Sequence, residues 1–210
     1  MRPEDVDLTQ ADKDILKSYK PFLEKNDFNG FMNDLNNNSI KLKELAISAE
    51  NPLYIGFIQL LVSLNINFYS NARVIPKYIF KNCRFNNKNI VLNNCETIKS
   101  FSFHGAFIDS LRAPICTHVA TSAFTRSKIK RLELPLLKSV DMRAFDELPE
   151  LEYLDLRGLD IIRLTNFLFE RSLEIKTLVL GKNTKLIGNT GKLASDKQFK
   201  ILYGIDIVRV

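Results

Sequence analysis

From Val74 onward the apolar positions fall into a frame that repeats about every 21 to 23 residues, carried by Phe80, Phe103, Phe124, Phe145 and Phe167. Five residues before each stands a β-branched aliphatic anchor: Ile75, Ile98, Val119, Val140 and Ile162. Six residues upstream of the last four anchors lie Leu92, Ala113, Leu134 and Leu156, and two before those Ile90, Leu111, Leu132 and Leu154. Three earlier again come Ile108, Ile129 and Leu151, with Asn87 breaking the first unit. Cys95, Cys116, Leu137 and Leu159 hold a further apolar position shortly after each pair. Alternation of apolar and polar residues over the x-L-x-L part predicts a short strand with its leucines turned inward. A single unit cannot bury its own apolar face, so the units must stack into a shared core along which phenylalanines and anchors form ladders.

A fifth unit starts at Ile175 with Leu178, Leu180 and the anchor Leu186, but Gly191 occupies its phenylalanine position. Leu202, Ile205, Ile207 and Val210 repeat the L-x-x-L-x-L-x-x-L spacing and are assigned to a last rung, which leaves roughly 187–199 as an irregular insertion. Ahead of the repeats, Thr9 can cap a helix through Asp12–Lys25 that Pro21 kinks or splits, and Asn51 with Pro52 can open another through Leu53–Leu64. The chain therefore divides into an α-helical N-terminal cap over 1–70 and a solenoid over 71–210. The cap has a physical purpose, because the first coil of any solenoid exposes an apolar end and an unpaired edge.

The unit from Leu132 to Phe145, LELPLLKSVDMRAF, resembles the BspA-type subfamily of leucine-rich repeats: an apolar pair, a proline at Pro135 (Pro114 one unit earlier), an aliphatic anchor and an Ala-Phe step. Ala123 and Ala144 fill that step, while Ile79, Ser102 and Asn166 depart from alanine and predict different packing of the outer turn. The resemblance covers about 74–210 and implies a leucine-rich-repeat solenoid of short parallel strands, about six rungs, with a non-enzymatic, protein-binding role. The opening Ile75, Pro76 and Phe80 behind a helical segment is also similar to small members often encoded by bacteriophages. That likeness implies a factor that binds and modulates a host protein, host-defence inhibition included.

Composition narrows the classes. Hydrophobic residues make up 45% and charged residues 26% of 210, which excludes wholesale disorder. The first residues lack the apolar core of a secretory signal, and no stretch offers a membrane span, so a cytoplasmic setting in the producing or host cell is expected. Three cysteines without an export signal argue against a disulfide framework. Charge is uneven: residues 1–70 hold seven Lys/Arg against ten Asp/Glu, a net −3, so the remainder carries +9 of the total +6. A basic surface steers acidic or nucleic-acid partners.

Cys83, Cys95, Cys116, His104 and His118 invite a metal reading, but the C-x2-4-C spacing of zinc sites is missing and a buried thiol ladder is the simpler assignment. No nucleophile-base pairing or glycine-rich phosphate loop is present, so neither catalytic residues, metal nor cofactor is assigned. The favoured binding site is the outward strand face with Arg112, Arg131, Glu133, Tyr153, Asp155 and Arg157, since Tyr and Arg are enriched among residues that dominate protein interfaces. The alternative is nucleic-acid binding by the basic run Arg126, Lys128, Lys130 and Arg131. Partner identity and oligomeric state are not encoded in the repeat pattern.

Overall fold

The computed structural model describes residues 72–75, 77–85, 88–163, 175–188 and 191–210. The expected helical cap over 1–70, Phe167 and Asn166 lie outside the described residues. Within them the x-L-x-L segments form strands where the alternation places them: β2 Asn89–Val91, β4 Ser110–Arg112, β6 Arg131–Glu133, β8 Tyr153–Asp155 and β10 Thr177–Leu180. With β13, Asp206–Arg209, they make a six-stranded parallel sheet in the order β13-β10-β8-β6-β4-β2. The stacked coils are a solenoid, and each inward leucine has its equivalent directly opposite in the next coil, Leu111 against Leu132 and Leu132 against Leu154.

The anchors also form strands, a feature the spacing alone did not specify. β1 Val74–Ile75, β3 Thr97–Ile98, β5 His118–Val119 and β7 Ser139–Val140 pair in parallel in that order, while β9 Ile161–Arg163 pairs with β11 Lys185–Ile187. Between the two sheets runs the core: Ile75, Ile98 and Val119 from one side, Ile90, Leu111, Leu132 and Leu154 from the other, all essentially inaccessible to solvent. Coil-to-coil approach is tight enough to demand glycine at Gly158 and again at Gly181, where a Cβ would lie 2.6 Å from the Arg157 carbonyl oxygen. A Cβ at Gly158 would lie 2.7 Å from the Leu136 carbonyl carbon and the Leu137 oxygen, closer than any side chain tolerates.

The phenylalanines stack in register. Ring centroids of Phe80–Phe103, Phe103–Phe124 and Phe124–Phe145 are 5.0, 5.2 and 6.0 Å apart, all near-parallel. Each is carried on a double turn in which the residues two before and two after the ring have left-handed backbone: Tyr78 and Asn82, Phe101 and Gly105, Ser122 and Arg126, Arg143 and Glu147. Seven of these eight are not glycine, so each carries a conformational cost of about 1 to 2 kcal/mol. Hydrogen bonds between coils offset it. The amides of Tyr78, Phe80 and Asn82 donate to the carbonyls of Ser100, Ser102 and His104 in the next coil, and Phe101, Phe103 and Gly105 repeat the pattern onto Thr121, Ala123 and Thr125. Contrary to expectation, Ile79 and Ser102 do not change this turn. Ser102 stays fully buried in alanine's place because its hydroxyl donates to the Lys99 carbonyl (2.5 Å).

The C-terminal unit corrects the sequence reading twice. The stretch 187–199 is not irregular: Leu193–Ala194 (β12) folds back antiparallel on β11, and α1, Asp196–Tyr203, follows. A reciprocal capping box starts α1, with Ser195 Oγ accepting from the Gln198 amide and the Gln198 side chain accepting from the Ser195 amide, and Gly204 closes it in left-handed conformation. The last rung is also registered two residues later than the leucine spacing suggested. Ile207 stands opposite Leu178, and Arg209 opposite Leu180. A guanidinium thus takes the place of the last inward leucine. It donates to the carbonyls of Gly181 (3.0 Å) and Thr184 (2.6 Å) and pairs with Asp196 on α1 (2.6 and 2.9 Å), giving this end of the stack a polar finish.

Candidate functional site

Parallel pairing places the outward residues of the six-stranded sheet in two rows that cross the strands. One row reads Asn89, Ser110, Arg131, Tyr153, Thr177, Asp206; the other Val91, Arg112, Glu133, Asp155, Val179, Val208. The sheet therefore brings Arg112, Arg131, Glu133, Tyr153, Asp155 and Arg157 together in its middle. The Arg131 guanidinium lies 3.6 Å from the centroid of the Tyr153 ring and donates through Nε to Glu133 (2.7 Å). Arg112 flanks the same carboxylate from the neighbouring strand, Nε to Oε2 3.9 Å. The hydrogen bond that Arg131 donates to Glu133 is the main reason that its guanidinium holds its proton more tightly than an isolated arginine, and Asp155 does the same for Arg157.

Asp155 occupies a different place from the one its strand position suggests. Alternation puts it on the outer face, yet it is 1% exposed. Arg157 closes over it, donating Nε and Nη2 to the carboxylate (3.0 and 2.6 Å), and the Arg157 amide also donates to it (3.2 Å). Asp155 consequently holds Arg157 in position and does not itself meet a partner. Val179, another outward position by alternation, is buried between Asp155 and Val208 in the same row. What remains open is a band of three guanidinium groups and one tyrosine: Arg157 is held by Asp155, Arg131 by Glu133 and the Tyr153 ring, and Arg112 reaches Glu133 only as an ion pair at 3.9 Å. A charge-assisted, multiply bonded arginine such as Arg157 is a rigid member of a polar surface.

The second candidate set does not form one patch. Arg126 lies in the left-handed turn after Phe124, Lys128 bridges to Phe107, Lys130 directly precedes β6 and Arg131 lies on it, so the four wrap around one coil. Each has an acidic neighbour: Arg126 with Glu147 at 2.7 Å, Lys128 with Glu150 at 3.8 Å, Lys130 with Asp109 at 3.9 Å and Arg131 with Glu133 at 2.7 Å.

The cysteines are core thiols. Cys83, Cys95 and Cys116 are free and buried, and burial pushes the Cys83 thiol far up from its ordinary value. Cys95 and Cys116 occupy equivalent positions in adjacent coils, with their Sγ atoms directed at the Thr97 and His118 carbonyls (3.4 Å each). Among the described residues no group of three or more His, Cys, Asp or Glu side chains could hold a metal ion, and no helix there is long and apolar enough to cross a membrane.

Sequence reasoning missed one cluster. On the Phe-side turns, Tyr78 stacks on Phe101 (centroids 5.1 Å) with the ammonium groups of Lys77 and Lys81 over it at 4.6 and 5.4 Å. Phe107 lies between Arg84 (4.5 Å) and Lys128 (5.2 Å). The available signal was aromatic: Tyr78 and Phe101 both sit two residues ahead of a ladder phenylalanine.

No curated protein matches the sequence. The model of the BspA type leucine rich repeat region matches residues 27–148 and 73–191, six copies in all, and its first match begins inside the segment assigned from sequence to the cap. Leucine-rich-repeat solenoids are generally non-enzymatic scaffolds, and their domains commonly bind proteins. With the matched range covering well over half of the 210 residues and the parallel coils following the repeat unit by unit, the chain belongs to the BspA-type leucine-rich-repeat family.

Proposed function

We propose that this protein is a non-enzymatic binding module that recognises a protein partner through the middle of its six-stranded sheet. The observation that carries the reading is the ordered network Arg112, Glu133, Arg131 and Tyr153, continued by Arg157 over Asp155. Long side chains normally lose about 0.5 to 1.5 kcal/mol each when an interface immobilises them. Here stacking and ion pairing restrain them beforehand, on strands that cannot flex independently of the stack. Tyr and Arg also offer large contact areas joined to directed hydrogen bonds, the combination that dominates protein interfaces.

From the likeness of the Ile75, Pro76, Phe80 opening we carry a narrower reading: a bacteriophage factor in the cytoplasm that modulates a host protein, with inhibition of host defence as one such role. The nucleic-acid alternative gains no support from the basic run, whose four cations all face acidic partners.

The test is affinity capture from lysate of the producing or host cell, with and without nuclease, followed by titration of the captured protein. Tyr153→Ala and Arg131→Ala are expected to weaken binding by about 1 to 2 kcal/mol each, with melting curves close to wild type. A partner that binds the double variant as tightly as wild type places the site elsewhere. Capture that nuclease abolishes, with affinity falling steeply in salt, assigns the function to nucleic acid instead.

A further inference from the structure

The strand face is not where the solenoid keeps its unpaired positive charge. Between Ala72 and Cys95 the chain carries five cations, Arg73, Lys77, Lys81, Arg84 and Lys88, and no acid at all. Arg73 is engaged by Glu96 at 2.7 Å. Lys77, Lys81 and Arg84 have no acidic partner among the described residues. They sit on the Phe-side turns of the first coil, against the ring of Tyr78 stacked on Phe101 and the ring of Phe107. Every cation of the third coil's basic run, by contrast, is matched by a carboxylate.

We propose that the turn surface formed by Lys77, Tyr78, Lys81, Arg84, Phe101 and Phe107 is a second docking surface, whose occupant is an acidic segment of a polypeptide.

Charge complementarity supplies the sign of the partner, and the rings supply its class. A single-stranded nucleic acid is held by stacking its bases on open aromatic faces. Tyr78 has Phe101 stacked on it and two ammonium groups over it, and Phe107 is flanked by a guanidinium and an ammonium, so these faces are already occupied. With those faces taken, the groups left to meet a partner are the cations themselves, which suit carboxylate oxygens. Extent points the same way. The unpaired cations and their rings span two adjacent coils about 4.8 Å apart, room for a few carboxylates rather than a long phosphate track. The rings hold the cations apart from one another on turns pinned by the inter-coil hydrogen bonds, which makes the surface a fixed charge pattern. It uses none of the strand-face residues and stands or falls separately from them.

The experiment titrates the full chain with fluorescent poly-L-glutamate and, in a second arm, with oligothymidylate, at low and physiological salt. Wild type is expected to bind poly-L-glutamate more tightly than oligothymidylate. Lys81→Glu/Arg84→Glu is expected to weaken that binding about tenfold or more, since like charges then face each other. Lys185→Glu/Lys192→Glu, the same charge change far along the stack, is expected to leave it within about twofold. The uncharged pair Lys77→Gln/Lys81→Gln, expected to weaken binding by a smaller factor in the same direction, decides the matter if charge reversal disturbs the melting curve. Equal losses in both reversal variants, no binding by wild type, or tighter binding of oligothymidylate lost on the same substitutions would each overturn the proposal.

Discussion

The coils from Phe80 to Phe145 and the unit that begins at Ile175 solve one problem by different local structures. The early coils cross the outer side on paired left-handed turns that each deliver a phenylalanine into the stack. The last unit has Gly191 where that phenylalanine would be, turns back as the β11–β12 hairpin, and then crosses as α1, which buries Phe199 in the same core. An aromatic volume is thus kept although neither its sequence position nor its backbone is. The repeat is a rule about buried apolar volume and coil spacing, and different backbone conformations can meet it in different units of one stack.

The sharpest way to break the comparison is to remove the aromatic from each region. Phe124→Ser, in the middle of the ladder with a ring stacked on both sides, is expected to cost about 3 to 5 kcal/mol and to lower the urea midpoint of the whole solenoid. Phe199→Ala removes a similar volume but at an end, so amide exchange is expected to rise first in α1 and β13 while the ladder coils keep their protection. Uniform loss of protection in both variants would mean that the end unit is as integral to the stack as its middle.

At the next scale, Ser195→Ala removes a helix cap that, among the described residues, belongs to the last unit alone. Loss of the hydroxyl that accepts from the Gln198 amide is expected to cost about 1 kcal/mol, read as a lowered urea midpoint and faster exchange in α1. The equivalent truncation at Thr121, outside any helix, is expected to have no such effect on α1.

Legibility from sequence followed the same division. The inward leucines and anchors were readable because five units repeat one frame and burial leaves little freedom at those positions. The middle of the strand face was readable too, since alternation fixes which residues point out. Asp155 escaped that rule because an arginine two residues on the same strand's exit folds back over it, a side-chain choice that spacing does not encode. The left-handed turns were hidden because seven of the eight positions are not glycine and give no compositional signal. The last rung was misregistered because Leu202, Ile205, Ile207 and Val210 imitate the leucine spacing, whereas Ser195, Gln198 and Gly204 bear the start and stop signals of a helix.

Those turns yield a smaller, stabilising prediction. Ser122 holds a φ of 54° with a Cβ that glycine lacks. Relief of about 1 to 2 kcal/mol of left-handed cost set against about 0.4 to 1 kcal/mol of added unfolded-state entropy leaves Ser122→Gly more stable by roughly 0.5 kcal/mol, measured as a raised urea midpoint. The last unit has nothing to gain in this way, since Gly191 and Gly204 already occupy its left-handed positions.

The finest distinction between the regions is in pH. His104, on the Phe-side turn of the second coil, has its basicity lowered chiefly by burial and further by Lys81 and Arg126, with Glu147 opposing, and its buried Nδ1 has no hydrogen-bond partner. Its folded value is therefore below the unfolded value of about 6.5. Above that pH both states carry a neutral ring and nothing is lost. As pH falls below it, the unfolded chain takes up a proton that the folded chain resists, and stability declines until the folded imidazole is protonated too. In the last unit the group to watch is Asp196, held below the usual carboxylate range by the Arg209 guanidinium, so its contribution persists until pH drops through the carboxylate region. Melting temperatures of wild type and His104→Gln, followed from about pH 7.5 to pH 5.5, are expected to diverge, the variant showing the flatter profile. Amide protection factors in α1, with the intrinsic pH dependence of exchange divided out, should stay constant over the same interval. A parallel decline in both proteins would assign the acid sensitivity to groups other than His104, and early fraying of α1 would place it in the end unit.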